Sequence, residues 1–309
     1  MNVFNSIYNY SSQKKAIITI GTFDGVHIGH QQIIKKLIVN AKNEDCNSLI
    51  ITFFPHPRMV LDSHSNVKLL NTMNEKIQLL QQIGLSDLII HPFDENFSQL
   101  SAEEFVANIL VNLLNIKKII IGHDHRFGKD RSATIEDLII FGKKYNFEVE
   151  QILAQEINQV TISSTKIRNA LIEGNIALAN NYLGYQYTFS GKVINGNQIG
   201  RTIGFPTANI QVDQDYKLIP KNGVYIVSSF INNILYYGLI NIGNRPTVDG
   251  KNFSVEVYFL NFENEIYNLM ITITILERIR DEKKFDSLNE LKIQIEKDKQ
   301  HTIAYINNL

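Results

Sequence analysis

The sequence predicts two domains: an α/β domain built on a parallel sheet, then an antiparallel β-barrel closed by a terminal helix. Three observations lead there. At 309 residues with 44% hydrophobic residues, the chain is too long for one average core. Its first part alternates short apolar runs with segments of helical periodicity, the rhythm of strand–helix–strand units. Beyond about Gly184 the helical spacing gives way to strand-like stretches separated by Gly, Asn and Asp.

The first-half strands are expected at Ala16–Ile20 and at residues 49–53, 88–90, 119–121 and 149–153. After His30, the set Ile33, Ile34, Leu37 and Ile38 marks one helical stripe. Ser101 with Glu104 has the spacing of a capping box for a helix running toward Leu114. Ser163-Ser164-Thr165 precedes Ile167, Leu171 and Ile172, and after Gly174-Asn175 a second apolar set runs over residues 176–183. These read as two short helices closing a first domain of residues 1–183. In the second domain, 184–309, strands are expected at residues 187–194, Gly223–Ile231, 235–242, 253–260 and 270–275. Asn232-Asn233 and Asp249-Gly250 have hairpin-turn composition, and Ser287 with Glu290 caps a last helix whose Leu288, Leu291 and Ile295 can pack on the barrel.

Charge and cysteine content narrow the function. Lys+Arg number 30 against Asp+Glu 31, so no excess of positive charge is available for a nucleic-acid backbone or an anionic membrane. The single cysteine, Cys46, excludes an intramolecular disulfide and a Cys-rich metal cage, and suits a reducing cytoplasm. Residues 1–15 are polar, and no apolar run approaches the roughly 18 residues of a membrane helix. A cytoplasmic chain acting on small molecules is expected, as a monomer or weak homo-oligomer.

The segment from Gly21 through Phe23, Asp24, His27 and Gly29 to His30 follows the first strand and opens the first helix. Glycines admit an anion close to the backbone, a helix N-terminus offers unpaired N–H groups, and two imidazoles can donate to phosphoryl oxygens. An isolated H-x-x-H also fits helix-terminal histidines or part of a zinc site. No third ligand follows at helical spacing and no HExxH occurs, so the strand–turn–helix setting favours phosphate. His56, between two prolines past a strand end, is placed to face the same crevice and line a flavin or phosphate site, or simply to shape its loop. In the second half, Gly200, Gly204 and Pro206 make a stiff loop with exposed N–H groups. There Thr207 and Asn209 can project two neutral oxygens to one side, a set that suits magnesium also held by phosphates. A loop of this composition also serves as a structural turn, and neither a Walker P-loop nor the dinucleotide glycine pattern occurs.

His27-Ile28-Gly29-His30 resembles the HxGH signature of adenylyl- and cytidylyltransferases. Residues 52–57, 92–94, 101–105, 122–128 and 162–168 are similar in order and spacing to bacterial FAD synthetase. Residues 200–209, 241–247, 254–257 and 280–285 resemble riboflavin kinase, so the resemblance to the bifunctional family reaches nearly the C-terminus. It implies a Rossmann-like nucleotidyltransferase domain and a riboflavin kinase barrel: riboflavin and ATP give FMN, and FMN with ATP gives FAD and pyrophosphate. By this resemblance His27 and His30 hold the ATP phosphates, Asp124 helps hold the nucleotide, and Ser164, Thr165 and Arg168 clamp the departing pyrophosphate. Thr207 and Asn209 bind Mg2+ with ATP, Glu256 takes the proton of the riboflavin 5′-hydroxyl, and Arg280 helps hold flavin or nucleotide. Two readings compete. One is an adenylyltransferase for another phosphate ester with a non-catalytic barrel, and the other a flavin-sensing or RNA-binding regulator. Intact Thr207, Asn209 and Glu256 weigh against the first, and intact His27, His30 and Glu256 against the second.

Overall fold

The computed structural model describes residues 1–62, 65–122, 126–152, 162–196, 200, 203–247 and 250–309. The chain forms two compact units, Met1–Lys68 with Met73–Ser163, and Leu69–Thr72 with Ser164–Leu309.

The first unit is built on six strands: β1 (Asn2–Phe4), β2 (Ala16–Ile20), β3 (Asn47–Phe53), β4 (Asp87–His91), β5 (Ile116–Gly122) and β6 (Glu148–Ile152). Every pairing is parallel, in the order β1-β4-β3-β2-β5-β6. Alternate residues feed two cores. Ile18, Leu49, Ile51, Ile119 and Ile121 join one cluster, while Ile17, Ile50, Leu88 and Ile120 join the other, as a sheet covered on both faces requires. The expected helical stripe lies on α1 (Ile28–Asn43), with Ile34 and Leu37 buried and Ile33 and Ile38 packed at the margin. Short helices α2 (Pro57–Leu61), α4 (Glu95–Ser98) and α5 (Ala102–Glu104) accompany the longer α3 (Met73–Ile83) and α6 (Ile135–Tyr145). The Ser101–Glu104 capping box forms, but residues Phe105–Leu113 continue as a π-helix rather than an α-helix. The chain runs from β2 to β3 and β4 on one side and reaches β5 and β6 on the other. The order therefore reverses at β2 and β5, the point of a parallel sheet whose strand carboxyl ends commonly receive a ligand.

The second unit is a closed antiparallel barrel, β10-β11-β8-β7-β12-β9, of β7 (Thr188–Ile194), β8 (Ala208–Val212), β9 (Gly223–Ile231), β10 (Ile234–Thr247), β11 (Gly250–Phe259) and β12 (Met270–Arg280). Asn232 and Asn233 turn the β9–β10 hairpin with φ of 51° and 64°, the left-handed pair that a two-residue hairpin loop demands. Asp249 lies outside the described residues. Helices α7 (Ser164–Glu173) and α8 (Ile176–Leu183) pack with this unit: Asn180 donates to Ile275 O at 3.3 Å and accepts from Tyr187 N at 2.8 Å. By internal packing the division thus falls ahead of Gly184, where the residue pattern changes.

The last helix, α9 (Leu288–Ile306), starts at Ser287, whose Oγ accepts from Glu290 N at 3.2 Å. Leu291 and Ile295 face the barrel cavity, but Leu288, in the first turn, is 57% exposed, so the expected packing stripe begins one turn later. Polar contacts fasten the helix instead. Asp298, 3% exposed, accepts from Arg280 Nε at 3.0 and 3.1 Å and from Nη2 at 2.7 Å. Removing one partner of such a pair leaves an uncompensated charge. Asp298→Ala should therefore destabilise the barrel by about 3 kcal/mol in denaturant titrations, whereas removing Glu296, on the exposed side of the same helix, should change stability little.

Candidate active sites

The first site is made where β2 ends. The backbone after Ile20 visits φ of 45° at Phe23, 86° at Gly25 and 37° at Val26 before α1 begins. Glycine adopts this region freely, but Phe23 and the β-branched Val26 do so at a cost of order 1–3 kcal/mol each. Their burial against Ile34 and Leu37 offsets part of that cost. Hydrogen bonds fix the remainder of the turn. Gly21 N donates to Ile51 O (3.1 Å), Gln31 Nε2 to Val26 O (2.9 Å), and the Thr22 carbonyl accepts both Thr52 Oγ1 (3.2 Å) and Lys76 Nζ (2.6 Å).

His27 is the N-cap of α1, its Nδ1 accepting from His30 N at 3.4 Å. A ring nitrogen that accepts is unprotonated, so neutral His27 carries its proton on Nε2. The His27 and His30 rings stack at 3.6 Å between centroids and 20° between planes, and Phe23 meets His30 edge-on at 5.1 Å. His30 Nδ1 is buried with no hydrogen-bond partner among the described residues. Burial lowers the His27 pKa to about 4, with buried Asp24 pulling the other way. His30 is held well below its usual range, first by burial, then by His27 and Lys76. At neutral pH the pair is uncharged, and with the N-terminal end of α1 it offers an anion donors that need no proton release. No group of three or more His, Cys, Asp or Glu placed to hold a metal occurs among the described residues.

The other first-site candidates are more scattered. Asp124 lies outside the described residues. Ser164, Thr165 and Arg168 occupy the first turns of α7, in the second unit. His56 is the N-cap of α2, its Nδ1 accepting from Arg58 N at 3.1 Å, which accounts for a histidine between two prolines without a ligand. Lys76 and Gln31 have no place in any motif, and Thr52 stands at the head of the 52–57 segment without a role of its own. A signal for Lys76 existed: it interrupts the stripe Met73, Ile77, Leu80 and Ile83, a position where a lysine must be buried. A separate cavity of ≈ 580 Å³, lined by Lys15, Lys117 and Lys143, sits at the amino ends of β2, β5 and β6, the sheet end away from this turn.

The second site lies in the barrel. Gly204 has φ of 87°, while Gly200 is required by space: a Cβ there would come within 2.2 Å of Phe205 O. Phe205 N donates to Gly200 O at 2.8 Å, and the buried Phe205 ring meets Tyr258 edge-on at 5.3 Å, which fixes the loop against β11. Thr207 Oγ1 then donates to Glu256 Oε2 at 3.3 Å, and Asn209 of β8 stands directly opposite Glu256 of β11. The Asn209 amide packs on Gly196, where a Cβ would meet Nδ2 at 2.0 Å. Gly200, Phe205, Thr207 and Glu256 border a cavity of ≈ 360 Å³ with an apolar part, including Ile203, Leu239 and Phe285, and a polar part that holds Glu256, Arg280 and Glu282. Arg280 lines it while bound to Asp298, so its guanidinium is already oriented. Thr207 and Glu256 line this cavity, with Asn209 opposite Glu256 in register, so it offers a ligand polar oxygens at one end and apolar walls at the other.

Comparison with known proteins separates the two sites into two families. Residues 9–166 match the FAD synthetase family and residues 183–306 the riboflavin kinase family. A bifunctional riboflavin kinase/FMN adenylyltransferase of Buchnera aphidicola subsp. Schizaphis graminum is 39% identical, covering 99% of each chain. The protein of that description from Listeria monocytogenes is also 39% identical, covering 95% of this chain and 93% of its own. A crystal structure described as a macrolide-efflux protein from Streptococcus pneumoniae superposes with a TM-score of 0.88 at 32% identity, covering 97% of each chain. Among the described residues here, no helix is long and apolar enough to cross a membrane.

The buried histidine makes the first unit acid-sensitive. Below pH 6.5 the unfolded chain binds a proton that the folded state refuses until about pH 4, so stability falls with pH across that window. The loss at His27 alone reaches about 3 kcal/mol once both states are protonated. His27→Asn keeps a capping oxygen, and its melting temperature should fall less than that of the native protein between pH 6.5 and 4.5.

Proposed function

The chain belongs to the bifunctional riboflavin kinase/FMN adenylyltransferase family, and from that premise we propose how its residues divide the work. The C-terminal part phosphorylates riboflavin to FMN and the N-terminal part adenylylates FMN to FAD. We assign the first activity to residues 184–309 and the second to residues 1–183.

In adenylylation, an FMN phosphate oxygen attacks the α-phosphorus of ATP while the bond to the pyrophosphate leaving group breaks. No protein nucleophile is needed, so the site's task is to position and to stabilise charge. The observation that carries this reading is the stacked and neutral His27–His30 pair at the start of α1, His27 buried and His30 partly so. His27 donates from Nε2 to phosphoryl oxygens as charge moves toward the leaving group, and the N–H groups of the first turn, at Gly29 and its neighbours, share that charge. The Gly21–Phe23–Asp24 turn sets the approach. Roles for Asp124, Ser164, Thr165 and Arg168 at the nucleotide and pyrophosphate rest on their motifs.

In riboflavin phosphorylation, Glu256 accepts the 5′-hydroxyl proton as that oxygen attacks the γ-phosphorus and ADP leaves. Thr207, hydrogen-bonded to the carboxylate, and Asn209, opposite it in register, support this role. The same two residues fit Mg2+, since both offer neutral oxygens and the neighbouring carboxylate adds charge. When bound, the ion would neutralise phosphate charge during transfer. The isoalloxazine ring fits the apolar part of the barrel cavity, with the ribityl chain toward Glu256. Arg280, held by Asp298, contributes a fixed cation there, and His56 shapes a loop of the other domain.

The two chemistries should separate by mutation. His27→Ala should reduce FAD formation from FMN by at least 100-fold, about the size of one oxyanion-hole donor, and leave riboflavin phosphorylation intact. Glu256→Ala should abolish FMN formation yet still convert supplied FMN to FAD. Chromatography of the flavins checks both, and loss of both activities in either folded variant would contradict the assignment.

A further inference from the structure

One buried lysine, outside the motifs of both families named above, is tied to the adenylylation turn. Lys76 on α3 is 3% exposed, and its Nζ donates to Thr22 O at 2.6 Å, its one hydrogen-bond acceptor among the described residues. An ammonium is expensive to bury, and its neighbours on the helix stripe, Met73, Ile77 and Leu80, show what packing alone would place there. The ionisable groups acting on it belong to the turn. Burial lowers its pKa and Asp24 opposes that shift, while Lys76 in turn joins His27 in opposing protonation of His30. Thr22 immediately precedes Phe23, the first of the positive-φ residues, so a clamp on its carbonyl fixes where that strained backbone begins.

We propose that Lys76 is a positioning residue for FMN adenylylation: it clamps the Thr22 carbonyl and places a fixed positive charge near the stacked imidazoles. The inference rests on assigning this turn to adenylyl transfer. Two effects are combined in one side chain and can be separated. Lys76→Met removes donor and charge, whereas Lys76→Gln removes the charge but keeps a donor, on a side chain one bond shorter.

With FMN and ATP supplied, Lys76→Met should lower the kcat for FAD formation by about 100-fold, the size of a misplaced reacting geometry. Lys76→Gln should recover part of that loss. Riboflavin phosphorylation by the same preparations should not change, which controls for folding of the rest of the chain. Because a cation opposing His30 protonation has gone, His30 should titrate at higher pH in both variants by histidine-ring NMR. The acid limb of the FAD-formation profile should rise with it. A Lys76→Met kcat within threefold of the native value would overturn the proposal, as would an unmoved His30 titration in the folded Lys76→Gln variant, which would reduce Lys76 to packing. Native protein that makes no FAD would instead overturn the assignment of the turn. The ring titration needs no turnover and would still judge the charge.

Discussion

The carbonyl of Thr22 is the point on which the first site depends. It is the last group before the chain leaves the ordinary Ramachandran regions, and it is gripped from β3 by Thr52 and from α3 by Lys76. Gln31 of α1 grips the far end of the turn at Val26. Each bond comes from an element already fixed by the buried sheet, so the cost of holding Phe23 and Val26 at positive φ is met by the whole unit. The result is a helix that starts where two imidazoles can be stacked and uncharged, at a strand end where the sheet order reverses.

The barrel meets the parallel demand through space rather than strain. Of its critical glycines, Gly204 supplies a left-handed turn, but Gly196 and Gly200 are needed because another group occupies the position of a Cβ. Gly243 is a third such case, with Glu282 packed on it at 2.0 Å from where a Cβ would stand. Side chains thereby approach the backbone closely enough for Glu256 to meet Asn209 across the strands and Thr207 from the preceding loop. The two halves answer different electrostatic problems. Neutral donors suit phosphate charge that must be accepted without proton traffic, while in the barrel a carboxylate meets a hydroxyl and an amide beside apolar walls.

Most of this architecture was legible where one local pattern decides structure. β2 and β9 have the predicted bounds, and the Asn232-Asn233 turn and the Ser287 and Ser101 caps follow from short-range hydrogen bonding. β1 was missed because three polar-flanked residues on a sheet edge carry no alternation to detect. β8 was hidden by its own motif. Ala208-Asn209-Ile210-Gln211-Val212 alternates as a strand should, but Asn209 was read as the end of a loop. In the π-helical course of Phe105–Leu113 the buried residues are Phe105, Val106, Ile109 and Leu110, an i, i+4 spacing that an α-helix also uses, so periodicity could not reveal it. The sites show the same division. His27, His30, Thr207, Asn209 and Glu256 stand in contiguous motifs, whereas Lys76 meets Thr22 only through the tertiary fold, and its trace was one cation on an apolar stripe.

The central claim is that one chain carries riboflavin through FMN to FAD in two sites of different design. Its most direct test is a time course of the purified native protein with riboflavin, ATP and Mg2+, resolving all three flavins. The account predicts that FMN appears first and then gives way to FAD, and that supplied FMN is converted without the first phase. FMN accumulating with no FAD, even when FMN and ATP are in excess, would contradict the reading of the His27–His30 site. A preparation inert toward both riboflavin and FMN would contradict the whole.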